Sequence, residues 1–293
     1  MYLHNNLDRC TAIRKAHVKY NHKSFAAWRC LVPVVAFVAC SSTTGYAGTL
    51  DAIGRYGVFA NLSLTNTGVT NITGDIGLYP GASITGFSAG GDTGSYTGVA
   101  DLNNSASEQA ATNLLNIYTS LSNLSPITDL TGSDLGAMTL TSGVYNFDST
   151  ASLTGTLTLD AANNPNARFV FIIGSTLTTG ADSKIRIINT SLAREGADCG
   201  IYWVLGSSAV IGEGTDFEGN ILAKTSITLN TGASIDHGRA LSINGSVTLS
   251  GNTIDASDVS GGFGVAVPEP ATYALFGSSC ALGFAMLARR RRK

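Results

Sequence analysis

Gly86-Phe87-Ser88-Ala89-Gly90 fits the G-x-S-x-G pattern of a serine nucleophile elbow. That chemistry needs a strand before the serine, a helix directly after it and a histidine base. Here Gly91-Asp92-Thr93-Gly94 follows, and His237 is the one histidine beyond the N-terminal stretch. A surface loop is the expectation. Of the five cysteines, Cys10, Cys30, Cys40 and Cys280 fall in the terminal segments, leaving Cys199. One His and one Cys do not make a transition-metal site, and a lone Cys makes no intramolecular disulfide. No G-G-x-G-x-D run recurs, so the many aspartates are expected in turns rather than on calcium. Polysaccharide cleavage would need a groove lined with carboxylates and basic groups. The basic residues of the body (Arg55, Arg168, Lys184, Arg186, Arg194, Lys224 and Arg239) are scattered. Lys184-Ile185-Arg186 alternates on one strand face and reads as a solvated edge. No cofactor, no metal and no catalysis are expected.

Charge locates the body. The chain has a formal net charge of −2 and only 13% charged residues. Its basic residues crowd the two ends, whereas residues 48–268 hold seven of them against 18 Asp and Glu. Such an acidic body does not provide the basic field that nucleic acid requires.

The elements that would position any site are mostly short strands. Ser226-Ile227-Thr228-Leu229-Asn230-Thr231-Gly232-Ala233-Ser234-Ile235-Asp236 is echoed by Ser246-Val247-Thr248-Leu249-Ser250-Gly251-Asn252-Thr253-Ile254-Asp255. A looser echo runs from Ala209 to Phe217. A period near 20 with strand-like alternation predicts stacked coils of a β-solenoid, each of three short strands. Because strands alternate inward and outward, Ile221, Ala223, Ile227, Leu229, Ala233 and Ile235 should point inward. Leu241, Ile243, Val247, Leu249 and Ile254 should repeat them, with Asn230-Thr231-Gly232 and His237-Gly238-Arg239 as corners. A β-sandwich is the alternative, but the matching three-part repeat favours the solenoid. Residues 105–124 break the pattern: Ala110, Ala111, Leu114, Leu115, Tyr118, Leu121 and Leu124 follow helical spacing. Ser105-Ala106-Ser107-Glu108 would cap that helix and Ser125-Pro126 close it. Its stripe should pack along the solenoid. Residues 81–98 read as a glycine-rich loop.

The ends read as addresses. A basic stretch, the apolar run 31–39 and Gly45-Tyr46-Ala47 make residues 1–47 a secretory signal peptide for signal peptidase. Phe37-Val38-Ala39-Cys40 is a poor lipoprotein box, which keeps lipidation at Cys40 a minor alternative. Residues 261–293 form a linker and a tail: Val267-Pro268-Glu269-Pro270, then 271–288 without a formal charge, then Arg-Arg-Arg-Arg-Lys. As a helix, 271–288 would rise about 27 Å, just enough to cross the hydrocarbon core. The basic cluster would stay cytoplasmic and the body outside. This tail resembles the PEP-CTERM sorting signal. The resemblance implies cleavage by an exosortase-type protease and release to the cell envelope or beyond. A permanent inner-membrane anchor is the alternative, and the membrane is met only through this segment.

The body, residues 48–260, carries Leu50-Asp51-Ala52-Ile53-Gly54-Arg55-Tyr56-Gly57-Val58-Phe59-Ala60, Ile72-Thr73-Gly74-Asp75-Ile76-Gly77 and Leu140-Thr141-Ser142-Gly143-Val144-Tyr145. Ala167-Arg168-Phe169-Val170-Phe171 and Gly219-Asn220-Ile221-Leu222-Ala223 with 225–233 follow. In these segments and their order it resembles the microbial ice-binding protein family. The resemblance implies a mainly β chain: a right-handed irregular β-solenoid of three-sided coils, one long α-helix packed alongside. It also implies adsorption to ice through a flat face of Thr, Ser and Ala. Threonine suits this, because its hydroxyl and methyl sit on a stiff stem. Outward residues lie about 6.7 Å apart along a strand and about 4.8 Å apart between coils, a grid that could order water. The family's Thr-Gly-x-Thr-like motif appears as Pro80-Gly81-Ala82-Ser83, Thr179-Gly180-Ala181-Asp182, Glu213-Gly214-Thr215-Asp216, Thr231-Gly232-Ala233-Ser234 and Ser250-Gly251-Asn252-Thr253. Candidate contact residues are therefore Thr179, Thr215, Thr231, Ser234, Ser250 and Thr253, with Thr228 and Thr248 stacked on a neighbouring face. Asp182, Glu213 and Asp216 would interrupt an ice-like water layer, and Val210 leaves the Thr228 row short. A non-catalytic envelope or biofilm-matrix protein of the same fold, without ice activity, is the alternative function.

Overall fold

Short alternating segments such as Ile227-Thr228-Leu229 bury every second side chain, and the turns between them redirect the chain so that each circuit lies on the last. The computed structural model describes residues 51–87, 93–190 and 200–257. Mainly parallel strands fill it, with one long helix. Each circuit contributes to three rows of hydrogen-bonded strands. The first row carries Ala100–Leu102, Asp75–Leu78, Tyr56–Ala60, the second half of Ser234–Ser242 and of Asp216–Ala223, Gly200–Leu205, Arg168–Ile173, Gly143–Phe147 and Thr128–Asp129. The second holds Thr139–Thr141, Thr156–Asp160, Lys184–Ile188, the first halves of the two long strands, Thr253–Asp255, Asn71–Thr73 and Ser95–Tyr96. The third is a separate sheet of seven strands: Ala151–Leu153, Leu177–Thr179, Ala209–Ile211, Ile227–Leu229, Val247–Ser250, Ser63–Thr67 and Ser83–Thr85.

The stacking order is not the chain order. Thr65 pairs with Thr248 and Val58 with Ala240, so the first two circuits of the chain lie beyond its last. The chain must then return. Leu102 pairs with Leu78 at one end, Thr128 with Tyr145 at the other, and the helix α2 (Ser105–Ser122) runs between. Eighteen helical residues rise about 27 Å. Ala110, Leu114 and Ile117 of α2 are buried against Val170, Tyr202, Val204, Leu222 and Leu241. Each such large apolar side chain contributes about 1.5–3 kcal/mol by leaving water.

The cap of α2 differs from the expected one. Asn104, not Ser105, is the N-cap: its side chain accepts from the Ser107 backbone N–H at 2.9 Å, and Ser107 Oγ accepts from the Asn104 N–H at 3.0 Å. Asparagine caps as well as serine, and serine at the third helical position closes the box from one turn in. The helix ends at Ser122 with Asn123 as C-cap, two residues before the expected close.

One stretch reverses the expected side-chain phase. Phe217 pairs with Ile235 and Ile221 with Ala240, so the later strand carries one extra residue between them. This bulge lies at His237-Gly238, with His237 at φ +47°. It moves Leu241 and Ile243 outward under α2, while Ala240 takes the interior position. The extra residue flips the side chains that follow it in this strand. His237-Gly238-Arg239 is therefore mid-strand rather than a corner. Arg239 is buried, donates to Asn220 Oδ1 at 2.9 Å and to the Gly54 carbonyl, and so ties the short helix α1 (Asp51–Gly54) to the stack.

Inside the stack, Tyr145, Phe171 and Trp203 lie face to face, with Phe217 tilted against Trp203. The Phe171 and Trp203 centroids are 4.0 Å apart and their planes 7° apart. Parallel in-register pairing of Tyr145 with Phe171 and Phe171 with Trp203 enforces that stacking. Residues 81–98, expected as a loop, include the strands Ser83–Thr85 and Ser95–Tyr96. Ser88 and Cys199 lie outside the described residues, as do 1–47 and 261–293. Among the described residues no helix is long and apolar enough to cross a membrane. The expected span at 271–288 is not among them.

Candidate functional site

Of the three rows, the first is covered by α2. The other two face solvent and differ in chemistry.

The second row is charged. Lys184 Nζ lies 2.7 Å from Asp216 Oδ2, Arg186 contributes a longer contact at 3.6 Å, and His237 Nδ1 is 3.3 Å from Glu218 Oε2. Ser234 sits between Asp216 and Thr253 in this row, so these two sequence candidates share a face with ionised groups. Burial pushes the Glu218 carboxyl up, and burial with the charges of Asp216 and Asp255 does the same to Asp236. The hydrogen bond to Glu218 raises His237. All three bind protons more tightly folded than unfolded, so the stability they confer is present at acid pH and lost as they deprotonate. Asp101, Asp129, Asp134 and Asp160 are lowered, so theirs is lost in stronger acid. We expect the melting temperature to peak on the acid side and fall as pH rises and these raised groups give up their protons, above the ordinary range of their side chains. Melting curves of wild type and His237→Asn check this; asparagine tolerates the positive φ and should flatten the upper part of the fall.

The third row is different. None of its seven strands carries a charged residue. Ala151, Leu177, Ala209, Ile227, Val247, Leu64 and Ile84 pair in one inward line. Ser152, Thr178, Val210, Thr228, Thr248, Thr65 and Thr85 form the line outside it. On one flank stand Ser226, Ser246, Ser63 and Ser83; on the other, Asn230, Ser250 and Thr67. Neighbouring residues are about 4.8 Å apart across strands and about 6.7 Å apart along them. Flank hydroxyls bond to each other: Ser63 to Ser246 at 2.8 Å and Thr231 to Ser250 at 3.1 Å. The hydroxyls of Thr178, Thr228, Thr248, Thr65 and Thr85 make no hydrogen bond to protein among the described residues and are left for water. At the far end Ser152 donates to Asp134 at 2.7 Å.

Buried amides hold this grid. Asn252, 1% exposed, donates to the carbonyls of Asn230 and Ala233 at 2.8 and 3.0 Å and accepts from the Ser250 N–H. Asn66, buried one circuit on, donates to the carbonyls of Gly68 and Gly86 and accepts from Thr70 Oγ1. The flank is thus fixed from inside.

The sequence candidates separate accordingly. Thr228 and Thr248 are in the central line, with Ser250 and Thr231 on its flank. Thr179 and Thr215 are inside: 4% and 0% exposed, their hydroxyls 3.0 Å apart, they are a buried polar pair and do not face solvent. Thr179 falls on the inward phase of its strand, and Thr215 turns in after Gly214, at φ +62°. Asp182 and Glu213 lie at the corner past the flank, and Asp216 is on the charged row. None of the three interrupts the line. Sequence reasoning missed Thr65 and Thr85, which lengthen it past Thr248. The signal was present: Ser63-Leu64-Thr65, Ser83-Ile84-Thr85, Ser226-Ile227-Thr228 and Ser246-Val247-Thr248 share one pattern, hydroxyl, apolar, threonine.

The sorting motif stands, since the PEP-CTERM protein-sorting description matches residues 266–292. An ice-binding protein of Nostoc sp. is 44% identical over 226 residues, covering 75% of this chain and 80% of that protein. Among solved structures, an ice-binding protein from an Antarctic biological consortium superposes with a TM-score of 0.65 at 38% identity, covering 71% of this chain and 90% of the other. The ice-binding protein of the Antarctic ascomycete Antarctomyces psychrotrophicus gives 0.64 at 35%, covering 71% and 97%. The ice-binding-like description matches residues 58–255, most of the chain, and with this fold it settles the kinship: the chain belongs to the ice-binding-like family.

Proposed function

We propose that this is an exported, non-catalytic ice-binding protein that adsorbs to ice through the third row and so inhibits ice growth or recrystallisation. One observation carries the reading: seven adjacent strands hold no charged residue, and within them Thr228, Thr248, Thr65 and Thr85 present an unbroken line of hydroxyls to solvent. Each water-mediated contact is weak, so adsorption needs many of them at little ordering cost. A parallel ladder pinned by Asn252 and Asn66 meets that condition. The stack is read as a right-handed, three-sided solenoid, residues 48–260. Residues 1–47 would direct export through signal peptidase, and the tail 261–293, with Val267, Pro268, Glu269 and Pro270 as its motif, would be cut by an exosortase-type protease. The sorting motif supports that route to the envelope or the extracellular space.

The test is ice grain growth at micromolar protein. Wild type should arrest it, as should Ser234→Tyr on the charged row. Thr65→Tyr should not, because the ring holds the ice surface away from a flat face. Grain growth unaffected by folded wild type would replace this reading with the envelope or matrix role.

A further inference from the structure

The third row is not uniform along its length, and its irregularity bears on where ice would sit. This inference rests on the ice-contact reading above and narrows it. Four circuits, carrying Thr228, Thr248, Thr65 and Thr85, each set a serine beside the central threonine; the first three add Asn230, Ser250 and Thr67 on the other flank. At the next circuit the serine persists as Ser208, its hydroxyl 2.7 Å from Thr225 Oγ1, but the central threonine and the polar far flank stop. Val210 occupies the central position between Thr178 and Thr228, and Gly212 takes the flank. Valine has threonine's shape without its hydroxyl, so no water is held there by a hydrogen bond.

Gly212 has no room for a side chain. A Cβ there would stand 2.6 Å from the carbonyl oxygens of both Thr179 and Gly180. The buried pair causes this: the Gly212 N–H donates to Thr179 Oγ1 at 2.8 Å, and Thr215 Oγ1 donates to the Gly180 carbonyl at 3.1 Å. Thr179 and Thr215 thus draw the corner inward where the flank line ends. Beyond lie Thr178, flanked by Gly180, and Ser152, whose hydroxyl is given to the Asp134 carboxylate.

We propose that ice contact is confined to the four-circuit patch from Thr228 to Thr85, and that Val210 is the residue that ends it. Thr178 is then a bystander, although it shares the row and the exposure of the working threonines.

Three variants test this in the grain-growth assay, each with its melting temperature measured to show that it folds. Thr228→Asp should require about tenfold more protein for arrest, the effect of about 1.4 kcal/mol of lost adsorption. Thr178→Asp should match wild type. Val210→Thr should lower the protein needed, because it joins Thr178 to the patch. Equal losses from Thr178→Asp and Thr228→Asp would overturn the boundary and leave the face standing. Wild-type activity in both aspartate variants would instead remove the face. An unchanged or higher requirement for Val210→Thr would overturn the role given to Val210.

Discussion

Thr248→Asp is expected to weaken adsorption to ice at least about tenfold while leaving the melting temperature near that of wild type. Thr248 is exposed, lies between Thr228 and Thr65 in the central line, and its hydroxyl makes no hydrogen bond to protein among the described residues. Its replacement therefore removes no side-chain hydrogen bond, and aspartate is of similar size. The change is electrical. A carboxylate at this exposed position is ionised at neutral pH and holds a hydration shell that an ice-like layer cannot incorporate. Each neighbour is about 4.8 Å away, so the shell reaches the threonines on both sides. A requirement for at least about tenfold more protein to arrest grain growth corresponds to about 1.4 kcal/mol or more of lost adsorption. Retained activity in a folded Thr248→Asp protein would move the contact surface elsewhere.

The largest effect on stability is expected at Trp203. It is fully buried, stacked on Phe171, tilted against Phe217, and its Nε1–H donates to the Glu218 carbonyl at 3.0 Å. Trp203→Ala removes the aromatic contacts and the indole hydrogen bond to that carbonyl, and opens a cavity in an in-register stack. Large-to-small aromatic changes in cores cost about 3–5 kcal/mol. At about 2–4 °C per kcal/mol for a domain near this size, the melting temperature should fall by roughly 10 °C. Thermal unfolding followed by circular dichroism measures it. A fall of only a degree or two would mean that the stack yields around the cavity and that the aromatic column does not carry the core.

How much of this was legible in the sequence depends on how local each signal is. The repeat of Ser226–Asp236 in Ser246–Asp255 gave the strands, their stacking and the exposure of Thr228 and Thr248, because parallel in-register coils put like residues above like. The helix was legible from its apolar spacing, although its cap lay one residue earlier, on Asn104. Leu241 was assigned to the interior because His237-Gly238-Arg239 was read as a corner and Leu241 matched to Ile221, whereas the extra residue at His237-Gly238 sets Leu241 beside Leu222 and Ala240 beside Ile221. Thr179 and Thr215 were taken for surface residues because a motif of four residues does not say which side of the corner each hydroxyl takes. Thr65 and Thr85 were missed for a topological reason. They lie 183 and 163 residues from Thr248 in the chain, and Thr65 pairs with Thr248, and Thr85 with Thr65, only because the helix returns the chain and leaves the first circuits stacked on the last. Seen as neighbours, they turn a short row into a long one. Most of the acidic groups that had counted against the row prove to face another way.

The central claim is that this row, and no other surface of the molecule, takes up ice. Growing ice slowly into a dilute solution and measuring how much protein it incorporates tests the claim most directly. Wild type should be enriched in the ice fraction and Thr248→Asp left in the liquid, with Ser234→Tyr behaving as wild type. Exclusion of the folded wild-type protein from ice, or equal uptake of Thr248→Asp, would contradict the account.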